Sequence, residues 1–126
     1  MKSIINTISA PSPIGPYSQG VLAGNTLYVS GQIAINPENG KMVQQTIAHE
    51  AKQIMLNIEA ILKEAGMEFE HIVKTTIFLK NMGDFSAVND VYGACFSNHF
   101  PARETVEVAK LPKEANVEIS VIAVKN

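Results

Sequence analysis

The chain has 126 residues, 46% of them hydrophobic and 17% charged, and carries a formal charge of −2. That length and apolar fraction suit one domain, residues 1–126, with an ample core, and they exclude a disordered chain. The acidic balance lacks the positive field that nucleic acid or an anionic membrane requires, and a single cysteine excludes both an intrachain disulfide and a zinc site of several thiolates.

The first 20 residues hold one lysine and no apolar run of signal-peptide length. No later stretch approaches the roughly 20 apolar residues of a membrane span, so the expected location is a reducing internal compartment, the cytoplasm.

Residues 3–8 are predicted to form a short strand, followed by a stiff loop in which Pro11, Pro13 and Pro16 fix φ and remove amide donors. Two apolar runs, 18–23 and 26–35, flank Gly24-Asn25, a pair suited to a tight hairpin. Strand alternation is expected to place Leu27, Val29, Gly31 and Ile33 on one face and Tyr28, Ser30 and Gln32 on the other.

Beyond a turn at residues 36–40, Ile47, Ala51, Ile54, Met55, Ile58, Ile61, Leu62 and Ala65 recur at helical spacing. Thr46 suits the N-cap, Glu50 the first turn and Gly66 the left-handed position after the last turn. Residues 71–80 are rich in β-branched side chains and predict a strand. Asp84 then caps a second helix using Phe85, Val88, Tyr92, Cys95 and Phe96, with Pro101 closing that region. Strands are expected at 104–110 and 116–124.

Strand, hairpin, helix, strand, helix, strand, strand is an α+β order, a sheet with two helices packed on one face. The last strand nevertheless carries Val117, Ile119, Val121 and Ala123 on one face and Ile122 and Val124, beside Glu118 and Ser120, on the other. An apolar second face with no helix left to cover it predicts self-association.

Arg103 follows the proline turn Phe100-Pro101-Ala102 at a strand's start. Its guanidinium is a planar fork that fits a carboxylate, but the residues alone equally allow a surface arginine paired with Glu104 or Glu107. Glu118, among Val117, Ile119 and Val121, must find hydrogen-bond partners or raise its pKa, unless it faces solvent at the strand end. Tyr17 offers either a functional hydroxyl or a ring packed on the sheet, and Asn89 is either a pocket residue or a solvated helix position. Cys95 lies on an apolar stripe and is expected as a buried small hydrophobe. His49, His71 and His99 lack metal-ligand spacing, so solvated or capping roles are expected.

In shared order, Ile14-Gly15-Pro16-Tyr17-Ser18-Gln19, Ser30-Gly31-Gln32-Ile33, Val88-Asn89-Asp90-Val91-Tyr92, Pro101-Ala102-Arg103 and the run from Val106 to Pro112 with Val117-Glu118-Ile119 resemble the RidA (YjgF) family of enamine and imine deaminases. The resemblance spans essentially the whole chain. It implies a chorismate-mutase-like fold with a six-stranded mixed sheet, assembled as a homotrimer with sites in clefts between subunits. It further implies that Arg103 binds the substrate carboxylate, that Glu118 and the backbone carbonyl of Thr105 orient water, and that Tyr17, Ser30, Gly31 and Asn89 shape the pocket. The implied reaction hydrolyses 2-aminoacrylate, 2-iminopropanoate or 2-iminobutanoate to 2-oxo acids and ammonia, with no metal or organic cofactor. Where the family often has Ser-Cys-Val-Glu-Val after the arginine, this chain has Glu104-Thr105-Val106-Glu107-Val108, which removes a thiol and adds a negative charge beside Arg103. Two other functions stay open at this point: a trimer that binds small carboxylates without turnover, and a ribonuclease or translation inhibitor, which the acidic balance opposes.

Overall fold

The computed structural model describes residues 2–126. The expected hairpin forms from β2 (Gly20–Ala23) and β3 (Thr26–Gln32), with Gly24 at φ 62° in the turn. The amino-terminal strand β1 (Lys2–Ile5) is shorter than expected and pairs antiparallel with β2.

Helix α1 (Ile47–Glu64) matches its periodicity: the Thr46 side chain accepts from the His49 amide, and Gly66 takes φ 73° beyond the last turn. Its apolar stripe of Ile54, Met55, Ile58, Ile61 and Leu62 is the centre of the core. Glu50 in the first turn is fully buried, its carboxylate accepting 2.8 and 2.9 Å hydrogen bonds from the backbone amide and the side-chain amide of Asn116.

Strand β4 (Ile72–Leu79) leads to α2 (Phe85–Gly93), which crosses over to β5 (Ala102–Glu107). The amino-terminal end of α2 differs from expectation. Asp84 makes no side-chain cap, because a 3-10 turn at Met82–Asp84 precedes the helix and Asn81 caps that turn through the Gly83 amide. Cys95 lies past the end of α2 and is only half-buried, packed against the core edge. Strand β5 begins two residues earlier and ends three earlier than expected, because its length is set by parallel pairing with β4.

With β6 (Val117–Val124) the strands form a six-stranded mixed sheet in the order β1-β2-β3-β6-β4-β5, antiparallel except for β4 and β5. A right-handed β4-α2-β5 crossover is the expected way to join a parallel pair. Backbone register assigns faces directly. Ile5, Gly20, Val29, Val121, Thr75 and Arg103 form one row across all six strands on the helix-covered side. Ile4, Val21, Tyr28, Ile122, Lys74 and Ala102 form the neighbouring row on the other side.

That second side has no covering element among the described residues. Along β6, Val117, Ile119, Val121 and Ala123 are buried while Glu118, Ser120, Ile122 and Val124 are half-exposed, as the two-faced pattern predicted. Ile4 is 57% and Tyr28 51% exposed on this open side.

The alternation expected through β3 fails after Val29. A bulge shifts the register so that Val29 pairs with Val121 but Gln32 with Ile119, one residue more on β3 than on β6. Gln32 therefore turns inward and is buried, while Gly31 turns outward.

Candidate active site

The bulge places Gly31 against Glu118. A methyl group at Gly31 would overlap Glu118 Oε2 and lie 2.8 Å from its Cδ, so only glycine leaves room for that carboxyl. Glu118 has no hydrogen-bond partner among the described residues, and burial pushes its pKa up from the usual carboxylate value. Glu118 is half-exposed on the open face of the sheet.

Around Glu118, Tyr17, Ser30 and Gly31 line a cavity of about 420 Å³ on the open side of the sheet, joined by Ile14, Ile33 and Pro112. Tyr17 is half-exposed at this cavity, with its hydroxyl accepting from the Ile14 amide at 3.3 Å. Its phenolic proton has no acceptor among the described residues.

The loop that carries Tyr17 is held by a residue sequence reading left without a role, Gln19. Fully buried, its Oε1 accepts from the Thr7 amide at 2.7 Å, and its Nε2 lies 3.0, 3.2 and 2.9 Å from the carbonyls of Thr7, Ala10 and Pro11. Ser30 closes the junction, its hydroxyl donating to the Ser18 carbonyl and its amide to the Gln19 carbonyl at 3.0 Å. The signal for Gln19 was a lone amide after a proline-rich loop whose carbonyls lack ladder partners.

Arg103 and Asn89 lie elsewhere, in a second cavity of about 350 Å³ lined also by Tyr92, Gly93, Phe100 and Pro101. The Arg103 guanidinium carbon is 5.3 Å from the Tyr92 ring centroid and 5.5 Å from that of Phe85. Both rings come from α2, where Phe85, Asn89 and Tyr92 follow the i, i+4, i+7 spacing of one helix face. That spacing was legible; its contact with an arginine from a later strand was not.

Neither acidic neighbour pairs with Arg103. Glu104 points to the opposite face and pairs with Lys74 at 3.4 Å, while Glu107 accepts from the Met82 amide at 2.8 Å. The expected crowding of Arg103 by Glu104 is therefore corrected by strand alternation. Arg103 makes no ion pair or hydrogen bond among the described residues, and its guanidinium sits over two aromatic rings with its donors unspent.

Two residues along β5, Thr105 has its hydroxyl buried without a partner. The Val108 amide donates to the Leu79 carbonyl at 2.8 Å, so alternation of backbone groups turns the Thr105 carbonyl outward from the free edge of β5.

The quoted residues thus fall into two groups. Tyr17, Ser30, Gly31 and Glu118 come together on the open face, Asn89 and Arg103 at the edge beside α2, and the two groups share no cavity. No group of His, Cys, Asp and Glu among the described residues is arranged to hold a metal ion. His49 and His71 serve as local caps, the former 2.7 Å from Thr46 Oγ1 and the latter accepting from the Glu68 amide at 2.9 Å.

The profile of the family described as Endoribonuclease L-PSP matches residues 7–125. The 2-iminobutanoate/2-iminopropanoate deaminase of Bos taurus is 50% identical over 125 residues, 99% of this chain and 91% of that protein. The solved structure of the E. coli YjgF gene product superposes with a TM-score of 0.94 at 46% identity, covering 98% of this chain and 99% of that one. E. coli TdcF with bound serine superposes at 0.95 and 38% identity, again covering 98% and 99%. On the match of the profile and of relatives along nearly its full length, this chain belongs to the Endoribonuclease L-PSP family, the RidA/YjgF proteins.

Proposed function

We propose that this protein hydrolyses reactive 2-imino acids (2-iminobutanoate, 2-iminopropanoate and the tautomer of 2-aminoacrylate) to 2-oxo acids and ammonia. The observation that carries the reading is the unpaired, ring-stacked Arg103, a preformed carboxylate fork, in a chain half identical to a protein named for this reaction. The serine held by TdcF is a small amino-acid carboxylate of the kind such a fork suits.

The substrate carboxylate lies across the donors of Arg103, and Asn89 borders it. A protonated imine carbon is electrophilic. Water held by Glu118 and the outward Thr105 carbonyl attacks it, passing a proton to Glu118. The carbinolamine nitrogen takes that proton back, the C–N bond breaks and ammonia leaves as the hydroxyl oxygen forms the new carbonyl and gives its own proton to the freed Glu118 carboxylate, which passes it to the departing ammonia as ammonium. Glu118, with a pKa raised by burial, is suited to these transfers. Tyr17, with a free phenolic proton, Ser30 and Gly31 shape the pocket around the reacting carbon.

Arg103 and Glu118 cannot serve one substrate from one chain, since they project from opposite faces of the sheet. We therefore infer a homo-oligomer, a trimer as the family resemblance implies, in which the open apolar face of each subunit is covered and each site takes Arg103 from one copy and Glu118 from the next. The whole chain acts as one domain, working in the cytoplasm, with small 2-imino and 2-oxo acids as ligands. No described helix is long and apolar enough to cross a membrane, and a charge of −2 disfavours nucleic acid as substrate despite the family's description.

The test is the rate of 2-oxobutanoate formation from 2-iminobutanoate generated in situ, against the spontaneous rate. Acceleration in proportion to added protein is expected; binding of 2-oxobutanoate without acceleration would replace the reading with that of a ligand-binding trimer.

A further inference from the structure

Tyr92 and Thr75 are both buried, 4% and 0% exposed, and the Tyr92 hydroxyl donates to Thr75 Oγ1 at 2.8 Å. Two hydroxyls in a core are an expensive choice, because a phenyl ring facing a valine fills the same space without desolvating polar groups. Their place in the fold explains the choice. Thr75 stands opposite Arg103 in the β4–β5 register, and the Tyr92 ring touches the Arg103 guanidinium. The pair ties α2 to the sheet at the level of Arg103.

The tilt of an aromatic ring about χ2 is soft and is set by its contacts. Tyr92 is fixed at both ends, by the hydroxyl bond to β4 and by the Phe96 ring 4.9 Å away. Phe85, the other ring beside Arg103, is 39% exposed and stands at the first residue of α2 with no such tether. Within the described residues the guanidinium has no ion pair or hydrogen bond, and the two rings, of which only Tyr92 is tethered, are the groups placed to orient it.

We propose that the Tyr92–Thr75 hydroxyl pair is a positioning device that sets the plane of Arg103 and so the affinity of the site for the substrate carboxylate. The inference rests on the reading of Arg103 as the carboxylate clamp. A clamp that grips substrate and transition state alike acts on KM more than on kcat.

The test uses Tyr92→Phe, Thr75→Val, Thr75→Ser and the double variant Tyr92→Phe/Thr75→Val, with Tm, kcat, KM and the Kd for 2-oxobutanoate measured on each. Replacing both partners by apolar groups should restore the thermal stability that either Tyr92→Phe or Thr75→Val alone loses. The double variant is nevertheless expected to keep KM and Kd raised by about tenfold, with kcat changed less than about threefold. Thr75→Ser, which retains the acceptor, should raise KM less than Thr75→Val. A double variant with wild-type KM and Kd would reduce the pair to a packing feature and overturn the proposal. If 2-oxobutanoate binding is indifferent to Arg103→Ala as well, the clamp reading itself falls; if it needs Arg103 but not the hydroxyls, only the positioning role falls. Should Tyr92→Phe fail to fold, the comparison of Thr75→Ser with the double variant decides alone.

Discussion

Gly31 and Glu118 face each other across a β-bulge so closely that the glycine has no room for a single added methyl group. The bulge turns Gly31 out to the open face, and the carboxyl fills the space where its Cβ would stand.

Gly31→Ala is expected to displace the Glu118 carboxyl. The clash is with the end of a flexible, half-exposed side chain, so the cost in stability should be small, while misplacing a reacting group by roughly 1 Å costs on the order of a hundredfold in rate. The expected result is a folded protein by circular dichroism with most of its deaminase activity gone; full activity would show that the Glu118 position is not critical.

Glu118→Gln should move stability and activity in opposite directions. Burial raises the folded-state pKa of Glu118, so the native state binds its proton more tightly than the unfolded chain. Stability is therefore lost as pH climbs from the ordinary glutamate range through the raised value, and the penalty is complete above it. Glutamine removes that penalty: its Tm should exceed that of the wild type at neutral pH, and the gap should vanish at acid pH. Activity should fall by about 10²–10⁴-fold if the carboxyl moves the proton. A variant that is less stable at neutral pH would contradict the desolvation account.

Gln19→Leu keeps the bulk but leaves the Thr7 amide and the Thr7, Ala10 and Pro11 carbonyls without a side-chain partner. Only the bond to the Ala10 carbonyl is fully buried, and a buried group left unsatisfied costs about 1–3 kcal/mol, so chemical denaturation should show a loss of about that size. Protease cutting within residues 7–17 should also accelerate. An unchanged midpoint would mean the loop is held by its prolines alone.

Thr105→Val removes a buried hydroxyl that has no partner, so the melting temperature should hold or rise. Because the proposed water anchor is the backbone carbonyl, activity should fall by less than about tenfold, the limit of a modest packing change. A larger loss would assign the chemistry to the hydroxyl.

The sequence revealed the elements whose periodicity stands alone and missed those set by neighbours. Helix α1 was readable with both of its ends because Thr46 and Gly66 bracket an uninterrupted apolar stripe. The two-faced pattern of β6 announced an uncovered sheet face. The bulge at Ser30–Gly31 was invisible, since it depends on how β3 pairs with a strand nearly ninety residues later. For the same reason the division of the residues quoted for the site between two separate cavities was not legible. Strand alternation could have separated Glu104 from Arg103, whereas the stacking of Arg103 on Phe85 and Tyr92 needed the β4-α2-β5 crossover to be built first.

Arg103 in β5 and Glu118 in β6 are separated by β4 and point away from each other, so the central claim is that they act together only across a subunit boundary. The most direct measurement is complementation: Arg103→Ala and Glu118→Gln proteins are co-refolded in equal amounts and assayed for 2-iminobutanoate hydrolysis at a substrate concentration where each alone has lost most of its activity. Random assembly in a ring gives an intact Arg103 facing an intact Glu118 at about one interface in four, so about a quarter of wild-type activity should return. If the mixture stays as inactive as its parents while forming mixed oligomers, the shared site is wrong.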